Sequence, residues 1–161
     1  MRIRKATAED FATVRAIYES ARAYMREKGN PTQWGNGYPP DELIRQDIDA
    51  GHLHACVDET GILGVFCFFQ GVDPTYLRIE DGAWLNDRPY GVMHRVAVAA
   101  HGRGVAAFCY DYCFGICKNL KIDTHRDNLP MQRSLQKNGF VRCGIIYLAN
   151  GDERIAFQRC E

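Results

Sequence analysis

The pattern of hydrophobic and polar positions predicts an alternation of strands and helices along this chain. Apolar residues with a period of two are typical of strands, and a period of 3.6 residues is typical of helices. The resulting order is β-α-α-β-β-β-α-β-α-β-β, which predicts an α+β fold with a mixed central sheet flanked by about four helices. The strands are expected at 1–5, 52–57, 61–70, 92–98, 121–124, 141–148 and 154–158, and the helices at 11–25, 41–50, from 105 onward and at 131–137.

Turn signals connect several of these elements. The turn at 58–61 and the pair Asn150-Gly151 each predict a hairpin. The segment 72–88 is ambiguous, because its apolar residues are compatible with one more strand that ends in a turn at 86–89.

The stretch 91–120 is the feature around which the rest of the chain is organised. The even-numbered residues of 92–98, three valines and His94, are expected to share one face of a strand. The sequence His101-Gly102-Arg103-Gly104 interrupts this run, and a helical period begins at Val105. The apolar stripe expected on the buried face of this helix consists of residues 105, 108, 109, 112, 113, 116, 117 and 120. A glycine turn that opens a helix presents unpaired backbone N–H groups and a partial positive charge, which favours a phosphate ligand.

Two other phosphate-binding motifs, the P-loop and the dinucleotide fingerprint, also place a glycine-rich turn before a helix. A P-loop requires Lys and then Ser or Thr after its last glycine, but Val105 and Ala106 follow Gly104. A dinucleotide fingerprint fits the spacing better, with Ala107 as its third small residue and Asp123 as the ribose-binding acid. An NAD(P)-dependent oxidoreductase is therefore an alternative, although 108–161 is too short for a second mononucleotide-binding half.

The strand and turn resemble the signature of the GNAT superfamily, the acyl-CoA-dependent N-acyltransferases. That signature is a hydrophobic strand, Arg/Gln-x-x-Gly-x-Gly/Ala and a helix, and His101 stands here at the Arg/Gln position. The segment from Asn128 to Asn138-Gly139-Phe140 resembles the family's next motif, and the opening IRKATAEDF resembles its first strand and helix. The resemblance covers nearly the whole chain and implies a single N-acetyltransferase domain over 1–161.

This resemblance implies that the co-substrate is acetyl-CoA and that the acceptor is a primary amine of a small molecule or a peptide. A non-catalytic acyl-CoA-binding or sensor module is the alternative within the family. The central strand and the next one are expected to separate, with acyl-CoA in the gap between them. The residues implied to contact acyl-CoA are Val96, Ala97, Val98, His101, Gly102, Arg103, Gly104, Val105, Ala106 and Asn128.

An amine acceptor has to lose a proton before it can attack a thioester. At pH 7 only about one lysine-like amine in 2,500 is unprotonated, which adds roughly 4.6 kcal/mol to the barrier. His94 is the first candidate for the base, because it lies two residues before Val96, where many family members carry a catalytic Glu. A histidine that only packs on the strand is the alternative, and Glu80 is the second candidate.

Leu135 departs from the family pattern. It stands where family members often have the tyrosine that protonates the leaving thiolate, and leucine has no proton to donate. Either Tyr147 or Tyr112 replaces this tyrosine as the proton donor, or the CoA thiolate leaves without help. The same departure motivates the non-catalytic alternative.

The loop 30–40 is rich in Gly, Pro and Asn and carries two aromatic residues, Trp34 and Tyr38. They are expected either to form an acceptor wall or to cover the core. Together with Trp84 they suggest a partly aromatic substrate pocket, whereas the neighbouring acids at 80–81 suggest a cationic acceptor.

Composition narrows the class of protein further. The formal net charge is zero, so neither a nucleic-acid nor a membrane partner is expected. No apolar run approaches the roughly 20 residues of a membrane span, and no signal-peptide core follows the N-terminus, so a cytoplasmic protein is expected. Seven cysteines, an odd number, favour reduced thiols, and Cys109, Cys113 and Cys117 are expected to pack in the core rather than bind a metal. A homodimer is possible, as is common in the family.

Overall fold

Seven strands form one mixed sheet in the computed structural model, which describes residues 1–161. The strands are β1 (Arg2–Lys5), β2 (Leu53–Asp58), β3 (Gly61–Gln70), β4 (Gly91–Val98), β5 (Asn119–Thr124), β6 (Val141–Tyr147) and β7 (Glu153–Cys160). The helices are α1 (Phe11–Glu27), α2 (Asp41–Asp49), α3 (Val105–Cys117) and α4 (Leu129–Lys137). The predicted order of elements is confirmed. No helix has the length and apolar character needed to cross a membrane.

The sheet has the strand order β1-β2-β3-β4-β5-β7-β6, and only the contact between β4 and β5 is parallel. That pairing is short, because only Gly91 and Val92 have partners on β5. Beyond Val92 the two strands separate, so the β4 edge that faces β5 is left without a strand partner. The expected gap between the central strand and the next one is therefore present.

A β-bulge in β4 accompanies this separation. Arg95 has a φ of 51°, in the left-handed region that side chains rarely adopt. His94 lies opposite Cys67 of β3 while Ala97 lies opposite Val65, so three steps along β4 match two steps along β3. One extra residue in a strand bends it and interrupts its ladder.

The bulge also changes which residues share a face. Met93, Val96 and Val98 all contact the core cluster beneath α3 and α4, whereas Val92 and Ala97 belong to clusters on the opposite face. The predicted single face for the three valines and the histidine of this strand is wrong, because strict alternation holds only where no residue is inserted.

The two faces of the sheet are covered by different helices. The α3–α4 face is the larger cluster and includes Phe66, Tyr110 and Phe157, and the opposite face buries α1 and α2. Cysteines of α3 pack in the larger cluster, as expected. The face of α3 that contacts the sheet is, however, rotated slightly from the expected apolar stripe. Tyr112 and Ile116, which belong to that stripe, are therefore 39% and 47% exposed.

The ambiguous segment 72–88 forms no strand. It contains a 3₁₀ turn at Pro74–Tyr76 and a single bridge between Glu80 and Ile145 of β6. Asp73 caps the turn by accepting hydrogen bonds from the backbone N–H and the hydroxyl of Thr75, at 2.9 and 2.7 Å. Tyr76 is buried against Val92 of β4 and Ile146 of β6, so this segment packs on one face of the sheet.

A buried ion pair ties the bulge to the helices. The Arg95 guanidinium donates to both carboxylate oxygens of Asp47 on α2, at 2.8 and 2.9 Å. The Arg95 carbonyl accepts a hydrogen bond from the hydroxyl of Tyr18 on α1, at 3.0 Å. The unusual backbone of the bulge is thus held by contacts from both α1 and α2.

We expect Asp47→Ala to destabilise the protein by about 3–5 kcal/mol, because it leaves the largely buried Arg95 side chain, 16% exposed, without a counterion. Urea unfolding at pH 7 measures this change. Asp49→Ala, an exposed acid of the same helix, is the matched control and should stay within about 0.5 kcal/mol of the parent. Equal effects of the two substitutions would contradict the proposed role of the ion pair.

Candidate active site

Two cavities lie on either side of the gap between β4 and β5 and meet inside it. The first, here called the turn cavity, has a volume of about 440 Å³ and is lined by the glycine turn and α4. The second, the His94 cavity, has a volume of about 520 Å³ and is lined by β4, β5 and the loop 30–40. The residues that line both cavities are Met25, Val96, Asn128 and Met131.

The glycine turn leaves hydrogen-bond donors free at the start of α3. Gly102 and Gly104 have φ values of 75° and 73°, and a Cβ at either position would meet nothing within 4 Å. The backbone N–H groups of Val105, Ala106 and Ala107 donate to no acceptor in the protein. Three free donors at a helix N-terminus, beside an open cavity, form a site for an anionic group.

The cations beside these donors come from α4 rather than from the turn. Arg133 and Lys137, one helical turn apart, line the turn cavity. Arg103 does not line it, because its guanidinium donates to the Asp58 carboxylate at 2.8 Å. Hydrogen bonds from Thr60, and then from Arg103, lower the pKa of Asp58 to about 2, so this pair is charged at neutral pH.

His94 lies between two carboxylates in the second cavity. Its Nε2 is 2.6 Å from Oδ2 of Asp73, and its Nδ1 is 3.9 Å from Oδ2 of Asp123 on β5. The Tyr76 hydroxyl donates to the same Asp123 oxygen at 2.6 Å. The imidazole is therefore oriented by Asp73, while its other nitrogen faces Asp123 without a hydrogen bond between them.

The ionisation states of Asp73 and Tyr76 determine which nitrogen of His94 is free to accept a proton. Burial, the largest single influence, raises the pKa of Asp73, but hydrogen bonds from His94 and Thr75 outweigh it and bring the value to about 2. An ionised Asp73 can only accept, so a neutral His94 carries its proton on Nε2 and its lone pair on Nδ1. Burial and the charge of Asp123 raise the pKa of Tyr76, which therefore stays a neutral donor.

Aromatic side chains of the loop 30–40 form another wall of the His94 cavity. Trp34 and Tyr38 both line it, with their ring centroids 6.2 Å apart. Trp34 also packs edge-on against Tyr18 of α1, at 5.6 Å. The two expectations for these residues, a cavity wall and a cover for the core, are thus compatible.

Known structures share the overall fold of this chain, although neither a family model nor a curated protein sequence matches it. An acetyltransferase of the GNAT family from Streptococcus agalactiae superposes with a TM-score of 0.90 and 27% identity, over 99% of this chain and 95% of the other. The chain belongs to the GNAT superfamily. More distant GNAT-fold neighbours include a ribosomal-protein-alanine N-acetyltransferase from Brucella melitensis, with 17% identity, a TM-score of 0.69 and full coverage of both chains. An aminoglycoside acetyltransferase solved with coenzyme A has 16% identity and a TM-score of 0.67, over 99% and 94% of the two chains.

Membership of the GNAT superfamily excludes the dinucleotide-binding alternative. A doubly wound domain needs parallel strands on both sides of its switch point, but β5 pairs with β7 in an antiparallel direction. Asp123, the expected ribose-binding acid, lies in the His94 cavity and not beside the glycine turn.

The cofactor residues implied by the GNAT resemblance gather in one place, apart from Arg103. The residues of that set that line the turn cavity are Val96, Ala97, Val98, His101, Gly102, Gly104, Val105, Ala106 and Asn128. Asn128 also caps α4, since its Oδ1 accepts from the N–H of Met131 at 3.2 Å and its Nδ2 donates to Gln33 at 2.9 Å. Both anticipated roles of Asn128 are therefore structurally compatible.

The structure does not bring the remaining candidates to the cavities. The Tyr147 hydroxyl donates to Glu80 at 2.8 Å, Glu80 also binds Arg78, and neither Glu80 nor Tyr147 lines either cavity. Trp84 donates its indole N–H to the Tyr76 carbonyl and packs against Lys121, also away from both cavities. These side chains are already satisfied by neighbours within the protein.

Leu135, at the usual GNAT tyrosine position, is fully buried in the core. Three residues with a hydroxyl line the turn cavity, Tyr24, Tyr110 and Ser134, and the hydroxyl oxygens of Tyr110 and Ser134 are 3.4 Å apart. Burial raises the pKa of Tyr110 to about 12, so its phenol stays protonated. Sequence reasoning missed this pair because Tyr110 is outside the expected apolar stripe of α3, whereas Tyr112, the residue considered, is exposed.

Sequence reasoning also missed the acids that surround His94. Asp73 lies in the segment of ambiguous structure, and Asp123 was considered only as a ribose ligand. The expected strand 121–124 already contains Lys121 and Thr124, so a further polar residue at 123 gave no distinct local signal.

Asp73→Asn should remove a stabilising contribution that depends on pH. A carboxyl whose pKa falls from 3.8 to about 2 on folding stabilises the protein above pH 4, and this contribution is lost as pH falls towards 2. The difference in unfolding free energy between the parent and Asp73→Asn should therefore shrink as pH falls from 4 towards 2. Urea unfolding across this range tests it, with the exposed Asp87→Asn as the control that shows no such trend.

Proposed function

We propose that this GNAT protein transfers an acetyl group from acetyl-CoA to a primary amine of a small molecule or a peptide. The observation that carries the proposal is the meeting of two chemically different cavities in the gap beyond Val92. One cavity offers donors and cations to an anionic carrier, and the other offers a base. The similarity to the acetyltransferase from Streptococcus agalactiae supports the same reaction class.

The residues of the turn cavity fit acetyl-CoA. The free N–H groups of 105–107 and the charges of Arg133 and Lys137 suit its phosphates. The unpaired edge of β4 suits the amide groups of its pantetheine arm, because the backbone there has no strand partner. When bound, acetyl-CoA supplies an activated thioester acyl group.

His94 is proposed as the base that takes the proton of the amine. Its Nδ1 receives the proton, and the Asp73 carboxylate stabilises the imidazolium through Nε2. Asp123, beside Nδ1, attracts the ammonium form of the acceptor before it is deprotonated. The Ser134 and Tyr110 hydroxyls are the proposed proton donors on the side of the turn cavity.

The non-catalytic alternative predicts acyl-CoA binding without turnover. It leaves the His94–Asp73 pair unexplained, because a binding module has no use for an oriented imidazole facing a second carboxylate. We further propose that the enzyme works in the cytoplasm, since all seven cysteines are free and most are buried in the core.

Acetyl-CoA at about 100 times its dissociation constant should raise the melting temperature by about 5–10 °C, which corresponds to ~2.7 kcal/mol. The double variant Arg133→Ala and Lys137→Ala should weaken binding about tenfold, because two phosphate contacts are lost. Arg142→Ala, an exposed arginine on β6, is the matched control. Thermal shift with acetyl-CoA, and with NAD as a negative ligand, measures both effects. A shift with NAD alone would overturn the assignment of the turn cavity.

His94→Gln should lower kcat by about 10²–10⁴-fold and remove one ionisation from the pH–rate profile, while acetyl-CoA binding stays unchanged. Acceptor-dependent release of free CoA thiol across an amine panel is the readout. The control His52→Gln changes a histidine that lines neither cavity and should retain the parent rate. A parent-like rate and profile in His94→Gln would rule out His94 as the base, and tight acetyl-CoA binding without turnover by the parent would favour the sensor alternative.

A further inference from the structure

Arg154, the second residue of β7, is a buried cation without a carboxylate partner. It lines the His94 cavity and is 7% exposed. Its guanidinium donates to the backbone carbonyls of Glu153 and Gln33, at 2.9 and 3.2 Å, and no carboxylate oxygen lies within 4.0 Å. A guanidinium has five N–H donors, so most of its capacity, and all of its charge, is unmatched within the chain.

Arg95, the other arginine that lines this cavity, differs from Arg154 because its guanidinium has a carboxylate partner. Arg95 makes two hydrogen bonds to the Asp47 carboxylate, so its charge is neutralised. Arg154 has no equivalent acid. Burial of an unpaired charge is unfavourable by several kcal/mol, so such a group is expected to receive a counterion from outside the chain.

The positive field of Arg154 extends to its neighbours. Burial first, and then the charge of Arg154, lower the pKa of His125, which lies on the loop after β5. Arg154 also borders a smaller adjoining cavity that contains His125 and Arg126. Two arginines therefore lie at this end of the His94 cavity, beside Asp152 and Glu153, whereas the end at His94 carries Asp73 and Asp123 without an arginine or lysine paired to either.

A cavity with an unpaired guanidinium at one end and two carboxylates around an imidazole at the other complements a ligand that carries both an anion and an ammonium group. We propose that the amine acceptor bears a carboxylate, which binds Arg154 while its amino group faces His94. This inference rests on the proposed acetyl transfer and specifies the acceptor as an amino acid, or a short peptide that carries a free amino group as well as its terminal carboxylate. A carboxylate is favoured over a phosphate dianion because three acids, Asp73, Asp123 and Asp152, already line the cavity. A volume of about 520 Å³ lies in the range of small-molecule sites.

Matched acceptors test this inference on the unmodified protein. Common L-amino acids are each compared with their carboxamide and with the decarboxylated amine, and an amine bearing a phosphate is included. The carboxylate form should bind the CoA-loaded protein, measured by calorimetry, about 10- to 100-fold more tightly than its carboxamide and be acetylated with a correspondingly lower KM.

Variants of Arg154 then assign that preference to one side chain. Arg154→Gln should abolish the preference for the carboxylate form through KM, with acetyl-CoA binding unchanged. Arg154→Lys should retain part of it, because the charge remains but the bidentate geometry is lost. Arg142→Gln, on the neighbouring strand, should leave it intact.

Several outcomes would overturn the inference. One is that no carboxylate form binds better than its carboxamide, and another is that the phosphate-bearing amine binds best. A third is that Arg154→Gln lowers stability but keeps the preference, since Arg154 would then only tie β7 to the Gln33 loop. Carboxylate-dependent binding without any acetyl transfer would instead reject the proposed catalysis and leave the role of Arg154 supported.

Discussion

The contact between Arg95 and Asp47 is the interaction on which the active-site architecture depends. A non-glycine residue in the left-handed region is unfavourable by about 1–3 kcal/mol and persists only where its surroundings hold it. Here Arg95 is held by a bidentate ion pair with Asp47 of α2 and by a hydrogen bond from Tyr18 of α1. The extra residue at this point bends β4, so that its edge separates from β5 and becomes available to a ligand.

The gap created in this way joins two environments of opposite character. On one side are free helix N–H groups and the cations of α4, which suit an anionic carrier. On the other side an imidazole is oriented between Asp73 and Asp123, which suits an ammonium group and its proton. Acyl transfer between two bound molecules requires such a division, because carrier and acceptor must be recognised separately and still meet at one point. Val96 and Asn128 mark that point, since they border both sides.

The two carboxylates beside His94 have different tasks because their partners differ. Asp73 is fixed by the backbone and hydroxyl of Thr75, so it can orient the imidazole without moving. Asp123 accepts the hydrogen bond of the Tyr76 phenol and lines the cavity beside His94 Nδ1. Arg154, at the other end of the cavity, adds a buried guanidinium that no carboxylate of the chain pairs. The site thus combines preorganised groups for chemistry with one unsatisfied group for selection of the acceptor.

The sequence by itself determined the order of all strands and helices, the glycine turn and the cap at Asn128, because periodicity, turn chemistry and capping are local properties of the chain. Only the tertiary structure decided which faces the residues of β4 occupy, since the bulge depends on Asp47, 48 residues before Arg95. It also decided that Arg103 turns to Asp58, that Glu80 pairs with a tyrosine of β6, and that two distant acids meet His94. Side-chain partners from remote segments follow from packing of the whole sheet, and no local pattern specifies them.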